Sequence, residues 1–303
     1  MEQNFETCLY NVVDAAKVQK DEPMKKHTTF RIGGPADYFI MPSNEKELAE
    51  TIRVCREFSI PIYIVGNGSN LLVGDKGFRG AIIQLYKSMG TFQVEGNQIT
   101  AQAGCSLAQI ANAALDAALT GFEFAAGIPG TLGGAVVMNA GAYGGEMKDV
   151  LTSVRVMTEE GEIMELPAEE LGLGYRTSII QEKRYIVLGA VISLTEGKKE
   201  EIKAQMDDLR QKRVSKQPLE YPSAGSTFKR PEGYFAGKLI EDAGLRGFQV
   251  GGAQVSEKHC GFVINRDHAT AADIMELMRQ VQIRVKEKSG VDLEPEVKRL
   301  GDE

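Results

Sequence analysis

Apolar residues recur at helical spacing between residues 44 and 58, where Leu48, Ile52 and Cys55 share one face. Asn44 precedes this run and Glu47 follows three residues later, which is the spacing of a capping box at a helix N-terminus. Two apolar runs come next, at 61–65 and 81–85, and both are typical of buried strands. VGNGSNLLV at 65–73 predicts a strand, a turn and a second strand. The pattern therefore predicts β-α-β structure with a polar loop after a strand.

The middle of the chain predicts shorter elements. Strands are expected around 99–103, 154–157 and 186–194, and a helix from 107 to 119. The charged segment at 197–217 predicts a helix with a solvated face that connects two parts of the chain.

The C-terminal part combines a strand-like run at 260–265 with an amphipathic helix. The helix is predicted to begin near Thr270, with Asp273 as the partner of a capping box. Its apolar face carries Ile274, Leu277, Met278, Val281 and Val285. The chain is thus expected to divide into three domains, at 1–90, 91–200 and 201–303.

A glycine-rich segment at 121–145 stands out because eight of its 25 residues are glycine. It also contains apolar residues that we expect to be buried: Phe122, Phe124, Ile128, Leu132, Val136, Val137 and Met138. Glycines alternating with small residues can form an anion-binding nest of backbone N–H groups. The segment is interpreted as a buried platform for a phosphorylated cofactor, and the alternative is a tight structural turn.

Composition limits the class of protein. The 303 residues are 43% hydrophobic and 25% charged, and the net charge is −7, which argues against broad binding of nucleic acid or of anionic membranes. No apolar run approaches the roughly 20 residues that span a bilayer. The N-terminal sequence lacks the pattern of a secretory signal, so we expect a cytoplasmic protein. A monomer is the expected state.

Metal and disulfide chemistry have little support. The four cysteines lie far apart with no CxxC pair, and the three histidines show no HExxH spacing. The chain has no tryptophan, so stacking platforms for single-stranded nucleic acid are not indicated.

Two loops remain as candidates for binding a diphosphate. The chain has no GxxxxGK[ST] motif, and the run that begins as GxGxxG at residue 66 has Leu71 in place of the third glycine, which disfavours a Rossmann site. The loops at 66–70 and 127–134 are both rich in glycine and polar residues. Two loops that converge on a diphosphate would satisfy more of its oxygens than one.

Four isolated residues have both a functional and a structural interpretation. Arg31 precedes a glycine-proline turn and is either a guanidinium at a loop edge or a surface arginine. Arg176 suits a bidentate grip on a carboxylate or phosphate, although a lone arginine is more often structural. Ser226 can deliver a proton but also fits a turn, and Glu296 can simply be solvated.

The same residues belong to a series of motifs that strongly resembles the UDP-N-acetylenolpyruvoylglucosamine reductase family, flavoenzymes of bacterial peptidoglycan precursor synthesis. The series covers nearly the whole chain and comprises HTTFRIGGPADYF, VGNGSNLLV, GIPGTLGGAVVMNAGAYG, LGYRTS, SAGSTFKRP, AGKLIEDAGLRGFQVGGAQVS, HCGFVIN and LEPEV. The resemblance implies an α+β chain with an FAD-binding fold of the vanillyl-alcohol-oxidase (PCMH) type in two subdomains. A C-terminal α+β domain would bind the substrate.

The resemblance also implies a cofactor and a reaction. FAD would bind non-covalently and NADPH would reduce it; the flavin N5 hydride would then pass to C3 of an enolpyruvyl sugar nucleotide. The expected FAD-binding residues are Arg31, Gly66, Asn67, Gly68, Ser69, Asn70, Gly127, Ile128, Pro129, Gly130 and Gly134.

Catalytic and substrate-binding roles follow from the same resemblance. Ser226 matches the family's proton donor to C2, and Arg176 with Glu296 matches the pair that polarises the substrate carboxylate. Contacts to substrate or NADPH are expected from Lys229, Arg230, Lys238 and His259. The chain lacks the longer insertion with a tyrosine clamp that one branch of the family has, so it resembles the shorter branch. Arg230 and His259 stand where some relatives carry uncharged amides.

Two other functions fit parts of the pattern. One is an FAD-dependent oxidase of the same fold; such enzymes often tether the flavin through histidine or cysteine, and Cys105 is the nearest candidate here. The other is a nucleotide-binding regulatory module, which predicts that Arg176, Ser226 and Glu296 are replaceable.

Overall fold

A computed structural model describes residues 4–302 of the chain. The chain forms two compact units, each assembled from segments that are separated in the sequence. The first comprises the chain up to Lys20, Tyr38–Asn67 and Gly80–Lys212, and the second comprises Asp21–Asp37, Gly68–Arg79 and the chain from Arg213 onward. Among the described residues, no helix is both long and apolar enough to cross a membrane.

The described residues combine helices and strands throughout, as expected for an α+β chain. The helices are α1 (Phe5–Tyr10), α2 (Glu45–Glu57), α3 (Leu107–Asp116), α4 (Leu132–Val137), α5 (Ile179–Lys183), α6 (Lys199–Lys216), α7 (Ala236–Asp242) and α8 (Ala271–Ser289). The strands are β1 (Val18–Pro23), β2 (Pro35–Ile40), β3 (Ile62–Val65), β4 (Leu71–Val73), β5 (Phe78–Gln84), β6 (Phe92–Glu95), β7 (Gln98–Gln102), β8 (Leu119–Thr120), β9 (Gly141–Ala142), β10 (Gly145–Glu146), β11 (Leu151–Met157), β12 (Ile163–Pro167), β13 (Ile186–Ser193), β14 (Thr195–Glu196), β15 (Gln249–Val250), β16 (Ala253–Val255), β17 (Val263–Asn265) and β18 (Lys298–Leu300).

Helix α2 forms where the apolar spacing predicts it. Asn44 caps its N-terminus, because its side-chain oxygen accepts from the Glu47 N–H at 2.9 Å. In the expected capping box the Glu47 carboxylate would accept from the Asn44 N–H. It accepts instead from the N–H of the preceding residue, Ser43, at 2.8 Å. Leu48 and Cys55 on the apolar face are fully buried.

Helix α3 is shorter than predicted. It begins after Ser106, which forms a capping box with Gln109, and it ends at Asp116 instead of residue 119. Ala118 adopts a left-handed backbone conformation with φ +56°, which an α-helix cannot continue through. Leu119 therefore begins the short strand β8.

The first unit is built around two sheets. One has the strand order β1-β2-β5-β3, in which β3 and β5 are parallel with Ile62 opposite Ala81. The other is antiparallel, in the order β12-β11-β13-β7-β6. Residues of α2, α3, β5, β7, β11 and β13 share one hydrophobic core.

The second unit has its own core, formed largely by α7, α8 and the three-stranded antiparallel sheet β15-β16-β17. Helix α8 begins as predicted, because Thr270 and Asp273 form a complete capping box. The predicted strand at 260–265 is reduced to Val263–Asn265. Strand β18 pairs in parallel with β4, so the C-terminal segment is fixed beside the residues that follow the 66–70 loop.

Candidate active site

The two predicted phosphate loops are in direct contact within the first unit. Asn67 donates from its side-chain amide to the Pro129 carbonyl at 2.7 Å. Gly66 lies so close to Thr131 that a Cβ there would be 2.2 Å from the Thr131 hydroxyl oxygen. The glycine is therefore required by close approach, and the expectation that the two loops converge is supported at these residues.

Backbone hydrogen bonds to residues 103 and 107 fix the 127–134 loop. The Leu107 N–H donates to the Gly130 carbonyl at 3.1 Å, and the Gly133 N–H donates to the Ala103 carbonyl at 2.9 Å. Thr131 caps α4 by accepting from the Gly134 N–H at 3.4 Å. These bonds fix a segment that has little regular structure of its own.

The glycines of this loop act differently from what the sequence predicts. No residue between Phe122 and Met138 has a positive φ, so the alternation of right- and left-handed residues that makes a nest is absent from this stretch. Gly133 instead allows packing against Ala103, whose Cβ would be 3.0 Å from a Cβ on the glycine.

Burial within the glycine-rich segment follows the prediction only in part. Phe122, Phe124, Leu132 and Val136 are buried. The remaining three residues expected to be buried, Ile128, Val137 and Met138, are partly exposed. Val137 and Met138 lie at the C-terminal end of the short helix α4, and Ile128 lies in the loop before it.

The exposed residues of the 127–134 loop fit a phosphate-bearing cofactor. Gly127, Pro129 and Gly134 are exposed, and Gly134 is exposed between two buried residues. A Cβ at Gly134 would meet no atom closer than 3.7 Å, so this backbone has open space before it. The exposed backbone of the two glycines leaves room for the oxygens of an anion.

The rest of the 66–70 loop lies in the second unit. Gly68 has φ +60°, and a Cβ there would be 2.1 Å from the His27 carbonyl oxygen, so only glycine fits. Ser69 is half-buried. Asn70 donates from its side-chain amide to the Glu296 carbonyl at 3.2 Å.

Arg31 lies in a tight, exposed turn of the second unit. Its backbone is left-handed, with φ +54°, and its N–H donates to the Thr28 carbonyl at 3.1 Å. This exposed turn fits both interpretations of Arg31, a guanidinium at a loop edge and a surface arginine.

Arg176 is presented on a strained turn of the first unit. Its φ is +57°, and Gly174 and Thr177, which flank the turn, pair with each other in an antiparallel β-bridge. Gln181 donates to the Arg176 carbonyl at 3.2 Å, and the guanidinium carbon lies 5.1 Å from the centre of the Tyr175 ring.

Asn139 ties this arginine turn to the glycine-rich segment. It is fully buried, and its amide donates to the Gly174 carbonyl at 3.1 Å and to the Glu146 carboxylate at 2.6 Å. Its side-chain oxygen accepts from the Lys148 N–H at 2.9 Å. Sequence reasoning missed this residue, although an asparagine inside an apolar glycine-rich run was a signal.

Ser226 and Glu296 are neighbours in the second unit. Ser226 is exposed, between Gly225 with φ +77° and the buried Thr227. The Glu296 N–H donates to the Thr227 carbonyl at 2.9 Å. Glu296 is half-buried. The structure thus brings a serine and a carboxylate from distant parts of the chain together, and Thr227, which connects them, was also missed from the sequence.

Three of the predicted substrate contacts are cations with partners in the second unit. Lys229 forms an ion pair with Glu294. The guanidinium carbon of Arg230 lies 4.0 Å from the centre of the Phe235 ring. Lys238 donates to Asp242 at 2.6 Å, and this hydrogen bond raises the pKa of the lysine.

His259, the fourth predicted contact, is half-buried. Its Nδ1 accepts from the Gly261 N–H at 3.0 Å, and its ring meets Phe262 edge-on. Burial holds the pKa of His259 below its ordinary value, which favours the neutral ring.

Cysteine and metal chemistry are not favoured here. Cys105 is buried, its thiol donates to the Thr91 carbonyl at 3.1 Å, and burial raises its pKa to about 11. That environment does not suit a flavin tether. The described residues contain no group of three or more histidine, cysteine, aspartate or glutamate side chains able to hold a metal ion.

Comparisons with known proteins agree with this geometry. Residues 36–167 match the model of an FAD binding domain, and residues 217–300 match the C-terminal domain of UDP-N-acetylenolpyruvoylglucosamine reductase. A protein of that name from Caldanaerobacter subterraneus subsp. tengcongensis is 56% identical over 97% of both chains.

Solved structures agree as well. The crystal structure of UDP-N-acetylenolpyruvylglucosamine reductase from Thermus caldophilus has a TM-score of 0.81 at 37% identity, covering 93% of this chain and 98% of that one. Phl p 4, a grass pollen allergen with glucose dehydrogenase activity, has a TM-score of 0.51 at 16% identity, covering 65% of this chain and 45% of that one. The latter likeness concerns the fold alone. The predicted fold class, an α+β FAD-binding chain with a C-terminal substrate domain, is confirmed.

Proposed function

Because the chain belongs to the UDP-N-acetylenolpyruvoylglucosamine reductase family, we propose that it reduces UDP-N-acetylglucosamine enolpyruvate to UDP-N-acetylmuramate, with NADPH as electron donor and FAD as cofactor. The product is a precursor of peptidoglycan. The observation that supports the proposal is the pairing of residues 227–229 with 294–296, in which the Glu296 N–H donates to the carbonyl of Thr227, the residue next to Ser226.

The residues that would hold FAD are those of the two contacting loops and Arg31. Asn67 supplies a side-chain amide in contact with Pro129, and Gly134 of the same loop as Pro129 supplies exposed backbone, which suits the pyrophosphate. The remaining members of the set are Gly66, Gly68, Ser69, Asn70, Gly127, Ile128 and Gly130. When bound, the flavin supplies the reducing equivalents that NADPH delivers to it.

The chain's own residues would complete the reduction. Ser226 donates a proton to C2 of the enolpyruvyl group, and its exposed position in a tight loop supports this role. Arg176 and Glu296 bind the substrate carboxylate and stabilise the charge that develops on it. Lys229, Arg230, Lys238 and His259 are proposed to contact the phosphates of the substrate or of NADPH.

We further propose three domains, at 1–90, 91–200 and 201–303. Support comes from the first unit, in which one sheet is built from strands before residue 85 and the other from strands between 92 and 193. The match of residues 217–300 to a C-terminal domain supports the third. From its membership of this family, a monomer that acts in the cytoplasm on small-molecule substrates is also proposed.

The proposal is tested by anaerobic titration of the holoprotein, followed through the visible flavin spectrum. NADPH should bleach the flavin, and the enolpyruvyl sugar nucleotide should restore its colour. A flavin that bleaches but is reoxidised only by oxygen would contradict the substrate assignment and support an oxidase. A protein that cannot take up FAD would contradict the cofactor assignment.

Ser226→Ala tests the proton donor. Flavin reduction by NADPH should stay near the wild-type rate, while reoxidation by the sugar nucleotide should slow by about 10²- to 10⁴-fold, as for loss of a general acid. Ser223→Ala is a matched control in the same loop, because Ser223 contributes a backbone carbonyl to Thr29 and keeps it after the substitution. Equal slowing of both half-reactions would show that Ser226 is structural.

A further inference from the structure

The backbone of Glu296 is held from both sides although it lies outside any helix or strand. Its N–H donates to the Thr227 carbonyl at 2.9 Å, and its carbonyl accepts from the Asn70 side-chain amide at 3.2 Å. The preceding residue, Pro295, has no N–H to offer to a neighbouring segment. We propose, on the basis of the proposed function, that Asn70 and Thr227 are positioning residues that fix the Glu296 carboxylate for the reaction.

Thr227 is anchored at three points. Its hydroxyl accepts from the Val263 N–H at 2.8 Å, its N–H donates to the Gly261 carbonyl at 2.9 Å, and its carbonyl accepts from Glu296. It is 1% exposed, so water does not replace these partners. Because Ser226 is its direct neighbour, Thr227 links the main chain of the proposed proton donor to that of Glu296.

Asn70 reaches Glu296 from the end of the 66–70 loop. Its own carbonyl accepts from the Lys298 N–H at 3.0 Å, which extends the pairing of β4 with β18 by one residue. Its side-chain amide donates one hydrogen to the Glu296 carbonyl. An aspartate of the same size would lose this donor and place negative charge against a carbonyl oxygen.

The two hydrogen bonds that hold the Glu296 backbone, to Thr227 and from Asn70, are here called the clamp, and the proposed chemistry explains why it matters. A group that stabilises developing charge must stand within a few tenths of an ångström of its productive position. A displacement of about 1 Å can slow a reaction about 100-fold. Glu296 lies outside any strand or helix, and the two hydrogen bonds hold the main chain from which its carboxylate extends.

The test compares Asn70→Asp and Thr227→Val with wild type in the FAD-loaded protein. Each variant should slow reoxidation of the flavin by the sugar nucleotide about tenfold or more, because it weakens the hydrogen bonds that hold Glu296. Reduction by NADPH should change by less than about twofold, because both variants keep the backbone, through which Asn70 would contact FAD. Thr227→Ser keeps the hydroxyl and should restore most of the rate.

Gln254→Glu serves as the matched control. It removes an amide donor to the Gly247 carbonyl at 3.3 Å in the same unit, away from the proposed machinery, and should leave both half-reactions unchanged.

A double-mutant cycle with Glu296→Gln separates positioning from general destabilisation. If Asn70 acts through the carboxylate, Asn70→Asp should slow the Glu296→Gln enzyme by less than about twofold, so the two effects are strongly non-additive. Fully additive effects, or equal slowing of both half-reactions, would overturn the proposal.

Hydrogen exchange gives a readout that does not depend on turnover. The Glu296 amide should exchange faster in Asn70→Asp than in wild type or Gln254→Glu, because the clamp is loosened. Unchanged exchange would overturn the proposal. A wild-type flavin that is not reoxidised by the sugar nucleotide would instead refute the proposed function, and the exchange result would still decide whether the clamp exists.

Discussion

The substitution Gly66→Ala should weaken FAD binding while the rest of the first unit stays folded. The added methyl group would lie 2.2 Å from Oγ1 of Thr131 and 3.1 Å from its Cγ2. Thr131 cannot move freely, because it is β-branched, 2% exposed and holds the cap of α4. Overpacking of this kind costs about 1–3 kcal/mol. If the strain is relieved by separation of the two loops, the Asn67–Pro129 contact is lost and FAD affinity should fall about 5- to 150-fold.

The assay is titration of the apoprotein with FAD, followed by flavin fluorescence, together with thermal unfolding. A second substitution, Thr131→Ala, removes both clashing atoms, so the Gly66→Ala/Thr131→Ala protein should bind FAD more tightly than Gly66→Ala alone. It should do so even though loss of the helix cap costs about 1 kcal/mol. Gly90→Ala is the control, because its methyl group would meet no atom closer than 3.5 Å. Wild-type affinity in Gly66→Ala, or no recovery in the double variant, would refute this reasoning.

Three further predictions concern buried polar groups. Asn139→Leu removes three hydrogen bonds from a fully buried side chain and should lower the free energy of unfolding by about 2–4 kcal/mol in denaturant titrations; a loss below about 1 kcal/mol would contradict the account. A thiol reagent at pH 8 should modify the half-buried Cys8 before Cys55 and Cys105, because burial raises the pKa of Cys55 to about 12 and that of Cys105 to about 11. Equal labelling rates of the three cysteines by mass spectrometry would contradict this prediction. Burial keeps the pKa of His259 below 6.5, so as the pH falls the unfolded chain takes up a proton before the folded chain does, and the free energy of unfolding should decrease below about pH 6.5. In urea unfolding, His259→Gln should lose this part of the pH dependence. An unchanged pH profile would contradict the argument.

Much of the regular structure could be predicted because it leaves a periodic trace in the sequence. Helix α8 has an apolar stripe and a Thr270–Asp273 capping box, and both appear in the structure. Strands β7, β11 and β13 begin or end within a few residues of the predicted runs. Burial decides these elements, and burial is encoded by local spacing.

The bonds that organise the candidate site leave no such trace. Asn70 and Glu296 are 226 positions apart, and their contact joins a side chain to a backbone carbonyl. The left-handed conformations of Arg31 and Arg176 could not be expected either, because arginine has no preference for positive φ. The role of Gly133 could not be predicted for a related reason: glycine permits both left-handed backbone and close packing, and only the neighbours of Gly133 show that packing is its role here.

Two asparagines of one five-residue loop offer a last, sharp test, because their amides serve different partners. Asn67 donates to Pro129 in the first unit, and Asn70 donates to Glu296 in the second. Asn67→Ala should therefore lower FAD affinity, by about tenfold for one lost hydrogen bond, and leave the reoxidation rate of the FAD-loaded enzyme near wild type. Asn70→Asp should do the reverse, because it changes only the side chain that serves Glu296 and keeps the backbone through which Asn70 would contact FAD. If both variants lose FAD in parallel and react alike when loaded, the loop acts as one cofactor-binding element and the separation of roles argued from its hydrogen bonds is wrong.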